Sequence, residues 1–174
     1  VHPRPGWALP GVCTAGAMQV QLKETGEAPA GATVVAGNGP LLLALAAQLC
    51  KAGRPPLAVL EAARPGKALF AQPLAAWDVL RAPWHWLEAL AYRVSLWRAG
   101  VPYLTAGVVT GIEAVDGGLV VHAQSRQHPS LRYEVQHLAL HDGLIPNQVG
   151  MPQRLIEGVH VVRAGDCREV LGVD

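Results

Sequence analysis

Charge is scarce in this sequence. Fourteen Lys and Arg stand against 13 Asp and Glu, 16% of 174 residues, for a net charge of +1. So small an imbalance gives no electrostatic footprint for a nucleic-acid backbone, and the few aromatics, 5%, are not interleaved with basic residues as a base-stacking surface would need. A composition that is 51% hydrophobic argues equally against disorder. The apolar residues come in short runs broken by Gly and Pro, none long enough to span a bilayer, and the strongest, from Pro40 to Leu49, reads as a buried helix. Cysteine is rare too: Cys13, Cys50 and Cys167 lie far apart and form no CxxC pair. That spacing argues against a disulfide scaffold, a zinc knuckle or a local iron–sulfur clamp, and suits a reducing, cytoplasmic compartment. No initiating Met and no basic-then-apolar leader stand at Val1, so targeting is not readable and a truncated N-terminus is expected.

What is present suits one domain with appended segments. A Pro/Gly-rich approach (Pro3, Pro5, Gly6, Pro10, Gly11) leads to a short helix from about Thr14 to Thr25, stopped by Gly26 and Pro29. Ala32 to Ala36 reads as a compact strand, followed by Gly37-Asn38-Gly39-Pro40, a buried helix to Lys51 closed by Gly53, and a second strand from Leu57 to Leu60 that ends on Glu61. Strand, glycine turn, helix and strand make a βαβ unit. Apolar runs without alternation fit a parallel sheet covered on both faces. Helices are expected at about Pro73–Leu80 and Pro83–Arg98. In the second, Trp84, Leu87, Ala91, Val94 and Trp97 recur on one stripe that is expected to pack into the core, with Glu88 and Arg98 outward. Gly100 closes it. Strands then follow at Pro102–Leu104, Val108–Val115, Leu119–Gln124, Tyr133–Leu140 and Val159–Val162, with Asp116-Gly117-Gly118 as a hairpin turn. The expected class is α/β: a Rossmann-like dinucleotide domain with β-hairpin strands.

The sharpest motif is Gly37-x-Gly39 between strand and helix. A side chain at Gly37 would block the tight turn, and one at Gly39 would hold the backbone away from a pyrophosphate received at the helix N-terminus. Glu61, at the end of the next strand, can accept hydrogen bonds from adenosine ribose hydroxyls and repel a 2′-phosphate, although the nearby Arg64 could receive one. Leu42 stands where the third glycine of the fingerprint belongs. Two readings stay open: a nucleotide cradle formed by Gly37, Asn38, Gly39, Pro40 and Glu61, or a plain structural βαβ turn.

These residues and their flanks resemble the FAD-dependent pyridine-nucleotide-disulfide-reductase-like family, with the closer likeness to the large subunits of opine oxidase, hydrogen cyanide synthase and dye-linked L-proline dehydrogenase. The likeness is carried by Pro5-Gly6-Trp7-Ala8-Leu9-Pro10-Gly11-Val12, Thr14-Ala15-Gly16-Ala17-Met18-Gln19, Ala36-Gly37-Asn38-Gly39-Pro40-Leu41-Leu42-Leu43, Leu60-Glu61-Ala62, His141-Asp142-Gly143-Leu144-Ile145-Pro146-Asn147 and Ala164-Gly165-Asp166-Cys167. The resemblance implies residues 1–30 as a partial FAD-domain segment and linker, 31–140 as an NAD-like dinucleotide domain, and 141–174 as a return into the FAD domain. It implies Gly143 as cofactor-binding and the pair Gly165 and Asp166 near the ribityl–phosphate part of FAD. In the complete parent it further implies oxidation of an amine or amino-acid derivative by hydride transfer to flavin, small oxidoreductase subunits as electron partners, and an adenine nucleotide or NAD held in the central domain. No FAD fingerprint precedes Pro5 and the chain stops eight residues after Asp166, so a fragment that is inactive alone is expected. No CxxxxC pair is present for disulfide reduction.

The other polar candidates read plainly. His85 reads as a packing or surface residue between Trp84 and Trp86, and His137, His141 and His160 lack metal-ligand spacing. Cys167 beside Asp166 reads as structural, and His2, Arg4 and Arg98 as solvated charges. The competing function is a non-catalytic nucleotide-binding or subunit-assembly module.

Overall fold

A computed structural model describes residues 4–63 and 83–143, with the backbone alone for residues 83–86. Short strands of β-branched and aliphatic residues set its frame. β1 (Val12–Thr14), β2 (Thr33–Gly37), β3 (Ala58–Glu61), β4 (Tyr103–Thr105) and β8 (His137–His141) form a parallel sheet in the order β1-β8-β2-β3-β4. β5 (Val108–Val115), β6 (Gly118–Gln124) and β7 (Leu131–Val135) form an antiparallel sheet in that order. The helices are α1 (Ala15–Thr25), α2 (Pro40–Lys51) and α3 (Pro83–Arg98). Residues Val1–Asp142 make one compact unit and Gly143–Asp174 a second, of which Gly143 is the described part.

The parallel strands are apolar without alternation because both of their faces are covered. Val35, Val59 and Ala139, in register across β2, β3 and β8, turn to a core shared with Met18 and Leu22 of α1, Leu42, Leu45 and Leu49 of α2, and Leu96 of α3. Their neighbours Val34, Ala36, Ala58, Leu60, Leu138 and Leu140 turn to a second core, with Val109, Ile112, Leu119, Val121 and Val135 of the antiparallel sheet. Each such Val or Leu contributes about 1.5–3 kcal/mol by leaving water. Local chemistry fixes the helix ends. Thr14 accepts the Ala17 N–H on its hydroxyl at 3.0 Å to begin α1, and Gly26, with φ 72, ends it in the left-handed conformation. The two-residue turn Asp116-Gly117 joins β5 to β6.

Three expectations are corrected. Tyr133–Leu140 is not one strand: it divides at Gln136 into β7, antiparallel to β6, and β8, parallel to β2. The chain changes sheets there, and Ala32 holds the crossing. Its carbonyl accepts the N–H groups of Gln136 and His137, both at 3.0 Å, and its own N–H donates to the Gln136 side chain at 2.7 Å. Both halves have strand composition, so the division leaves no mark in periodicity. Secondly, the described part of the α3 stripe is mostly exposed, with Val94 half-buried and the Trp84 side chain outside the described residues. Leu87 and Trp97 are 58% and 79% exposed, Ala91 is exposed, and the inward face is made by Leu96, 2% exposed, with Tyr92 beside it. Arg4 likewise is no solvated charge: it forms a largely buried ion pair with Asp142. The helix expected at 73–80 and the strand expected at 159–162 lie outside the described residues.

Candidate nucleotide-binding turn

Parallel pairing brings three of the strand ends level. Gly37 is in register with Glu61 on one side and His141 on the other. This is the carboxyl edge of the sheet, where open α/β folds place their ligands. Gly37 has φ 142, and a Cβ there would lie 1.7 Å from the His141 carbonyl oxygen. The backbone is locked on both sides: Asn38 donates to the His141 carbonyl at 2.6 Å and Ala62 to the Gly37 carbonyl at 2.7 Å. Glycine at 37 is therefore a condition of strand packing.

Gly39 differs. Its φ of 98 again demands glycine, yet a Cβ there would meet nothing nearer than the His141 ring atoms Cδ2 and Nε2, at 3.9 Å. The space beside its backbone is open. Gly39 is the N-cap of α2 without any side-chain cap, and Pro40 opens the helix. The first-turn N–H groups and the positive end of the helix dipole thus face that space. Leu42, at the position of the third glycine, is fully buried in the helix-side core, so a leucine supplies the helix–sheet contact there.

Glu61 is half-buried beside this turn. Burial pushes its carboxyl up, while Arg93 of α3 and a hydrogen bond from the Gly39 N–H draw it back down. Arg93 is itself held with its guanidinium 4.9 Å from the Tyr103 ring centroid. It also lines a groove of about 360 Å³ with Leu96, Trp97 and Tyr103, alongside rather than over the glycine turn. Burial holds the His141 imidazole below its usual range, with Asp142 acting in the opposite sense.

Gly37, Asn38, Gly39, Pro40 and Glu61 are therefore brought together. Gly143, with φ 94, belongs to the second unit, and Gly165 and Asp166 lie outside the described residues. Sequence reasoning missed two neighbours. His141 was readable only as a strand-end histidine, and Arg93, 32 positions from Glu61, carries no local signal at all. His137 ends on the Ala30 carbonyl at 2.9 Å.

No family model matches the chain. An opine oxidase subunit of Rhizobium meliloti (strain 1021) is 34% identical over 164 residues, 94% of this chain and 35% of the relative. Hydrogen cyanide synthase subunit HcnB of Pseudomonas protegens is 35% identical over 151 residues, 83% of this chain and 31% of the relative. Among solved structures, a pyridine nucleotide-disulfide family oxidoreductase from Enterococcus faecalis V583 superposes with a TM-score of 0.55 at 18% identity, over 94% of this chain and 34% of that one. The parallel sheet with its antiparallel companion thus has the fold of the two-dinucleotide-domain oxidoreductases. By sequence the chain is related to the opine oxidase and HcnB subunits. It spans about a third of the length of these curated relatives. Among the described residues no helix is long and apolar enough to cross a membrane.

Proposed function

We propose that this chain supplies the adenine-nucleotide-binding unit of an FAD-dependent oxidoreductase. The observation that carries the reading is Gly39: its backbone is forced into a glycine-only conformation beside open space, at an uncapped helix N-terminus, with Glu61 at hand for ribose hydroxyls. A purely structural turn has reason to need Gly37 but none to leave Gly39 bare. The ligand class is an adenine dinucleotide such as NAD. Glu61 would disfavour a 2′-phosphate, with Arg93 softening that preference.

For the whole protein, the reading is oxidation of an amine or amino-acid derivative. FAD, when bound, would accept hydride from a carbon bearing nitrogen, with the protein supplying placement and electrostatics. Residues 31–140 would be the NAD-like domain, and 1–30 and 141–174 the segments toward the FAD domain, with Gly143, Gly165 and Asp166 facing FAD. Small oxidoreductase subunits would take the electrons, in a cytoplasmic setting that suits free thiols such as Cys13 and Cys50. The chain alone would bind nucleotide without turnover.

Calorimetric titration with ADP, NAD, NADP and FAD, with Gly39→Asp as control, tests this. Micromolar-range adenine-nucleotide binding that Gly39→Asp abolishes is expected. A folded chain that binds none of them overturns the reading and leaves the alternative, a subunit-assembly module, which the exposed apolar stripe of α3 favours.

A further inference from the structure

The glycine turn has committed most of its own donors. The Asn38 N–H is taken by the His141 carbonyl at 2.6 Å, the Gly39 N–H by the Glu61 carboxylate, and Pro40 has none. A diphosphate brought to the start of α2 meets the positive end of the helix, but residues 38 to 40 offer it no uncommitted N–H. The side chain that stands at this gap is His141. It ends β8 level with Gly37, and its Cδ2 and Nε2 are the nearest atoms to the open side of Gly39. Among the described residues no hydrogen bond engages its ring. A half-buried imidazole with no such bond, facing a bare backbone, is poised to donate to whatever enters.

We propose that His141 is a ligand-contacting residue of the nucleotide site, its ring N–H donating to the diphosphate of an adenine dinucleotide in place of the turn's committed amides. This rests on the nucleotide-binding reading above. The charges acting on the ring are the Asp142 carboxylate beside it, itself paired with Arg4, which favours the imidazolium, and the N-terminal amino group, which opposes it. Into that balance a diphosphate brings further negative charge, which favours the imidazolium. Binding is therefore coupled to proton uptake, and affinity rises as the solution is acidified into the imidazole range.

The test uses the 174-residue chain with NAD, whose diphosphate keeps its charge across that range, and adenosine as the phosphate-free control. His141→Ala should weaken NAD by about ten-fold, the worth of one good hydrogen bond, and leave adenosine unchanged. Wild-type affinity for NAD should rise as the solution is acidified through and below the ordinary imidazole value of about 6.5, since burial holds the free ring below that value. His141→Asn, which keeps a donor that does not titrate, should restore part of the affinity and none of the pH dependence. An alanine variant that binds NAD as tightly as wild type with the same pH profile overturns the role of His141 while leaving the nucleotide site standing. A folded wild-type chain that binds neither NAD nor adenosine overturns both.

Discussion

Gly37 and Gly39 are the same residue type two positions apart, and they are glycine for different reasons. At Gly37 a methyl group collides with the His141 carbonyl, so Gly37→Ala must separate β2 from β8 and should cost about 3 kcal/mol or more, from strain and overpacking together. At Gly39 only the backbone angle objects, so Gly39→Ala should cost about 1–2 kcal/mol and be felt mainly in nucleotide affinity. Urea denaturation of the two variants should show this order; equal losses would contradict it. Glu61 provides a second contrast. Its carboxyl is held above the usual range by burial, so the folded state keeps the proton longer than the unfolded chain does. The stability this confers is fully present below the unfolded value of about 4.3 and is lost as pH rises through the folded value. Glu61→Gln should therefore gain on wild type in urea midpoint at neutral pH, match it near pH 4, and lose discrimination between NAD and NADP. A midpoint difference that does not change with pH would show that Glu61 ionises as freely as in the unfolded chain.

Elements were legible wherever one segment does one job. α2 and its flanking strands follow from an apolar run, a glycine turn and a first-turn proline, and the structure has them within a residue or so of the expected bounds. Legibility failed where partners decide. Gln136 divides a continuous strand-like run because Ala32 waits beside it from another part of the chain. α3 shows the same limit: its sequence carries apolar residues on more than one face, and only packing against α2 selects Leu96 over Trp97. The consequence is measurable. Leu96→Ala should cost about 2–4 kcal/mol through the cavity it leaves, whereas Trp97→Ala should stay within about 0.5 kcal/mol and reduce self-association by shrinking an exposed apolar stripe. Thermal unfolding and light scattering of the pair decide this, and a large loss from Trp97→Ala would mean that the stripe is covered. The candidate site was half legible on the same grounds: the glycine turn and Glu61 lie within one βαβ unit, while His141 and Arg93 reach it only through the fold.

At the scale of the whole unit, the order of the parallel sheet puts a late strand between two early ones: β8 lies between β1 and β2. The stretch before β1 is consequently held by β8 and the residue after it: the Leu138 N–H donates to the Gly11 carbonyl at 2.9 Å, and Arg4 meets Asp142 across 138 positions. Their side chains are only 18% and 12% exposed, so the pair lies in the regime where removing one partner leaves a charge in a poorly solvated place, a loss of about 3–5 kcal/mol for full burial and correspondingly less here. Arg4→Ala should thus destabilise the unit by about 2–3 kcal/mol, more than an exposed ion pair such as Arg132–Glu134 on the antiparallel sheet, whose loss should stay below about 1 kcal/mol. Asp142 also sits next to His141 and draws its imidazole upward. Asp142→Asn should therefore depress the His141 titration further, while Arg4→Ala, which leaves the carboxylate in place, should not. Following the His141 ring by proton NMR against pH in both variants separates the two roles. A titration that is the same in wild type and Asp142→Asn would mean that the carboxylate serves only to close the fold.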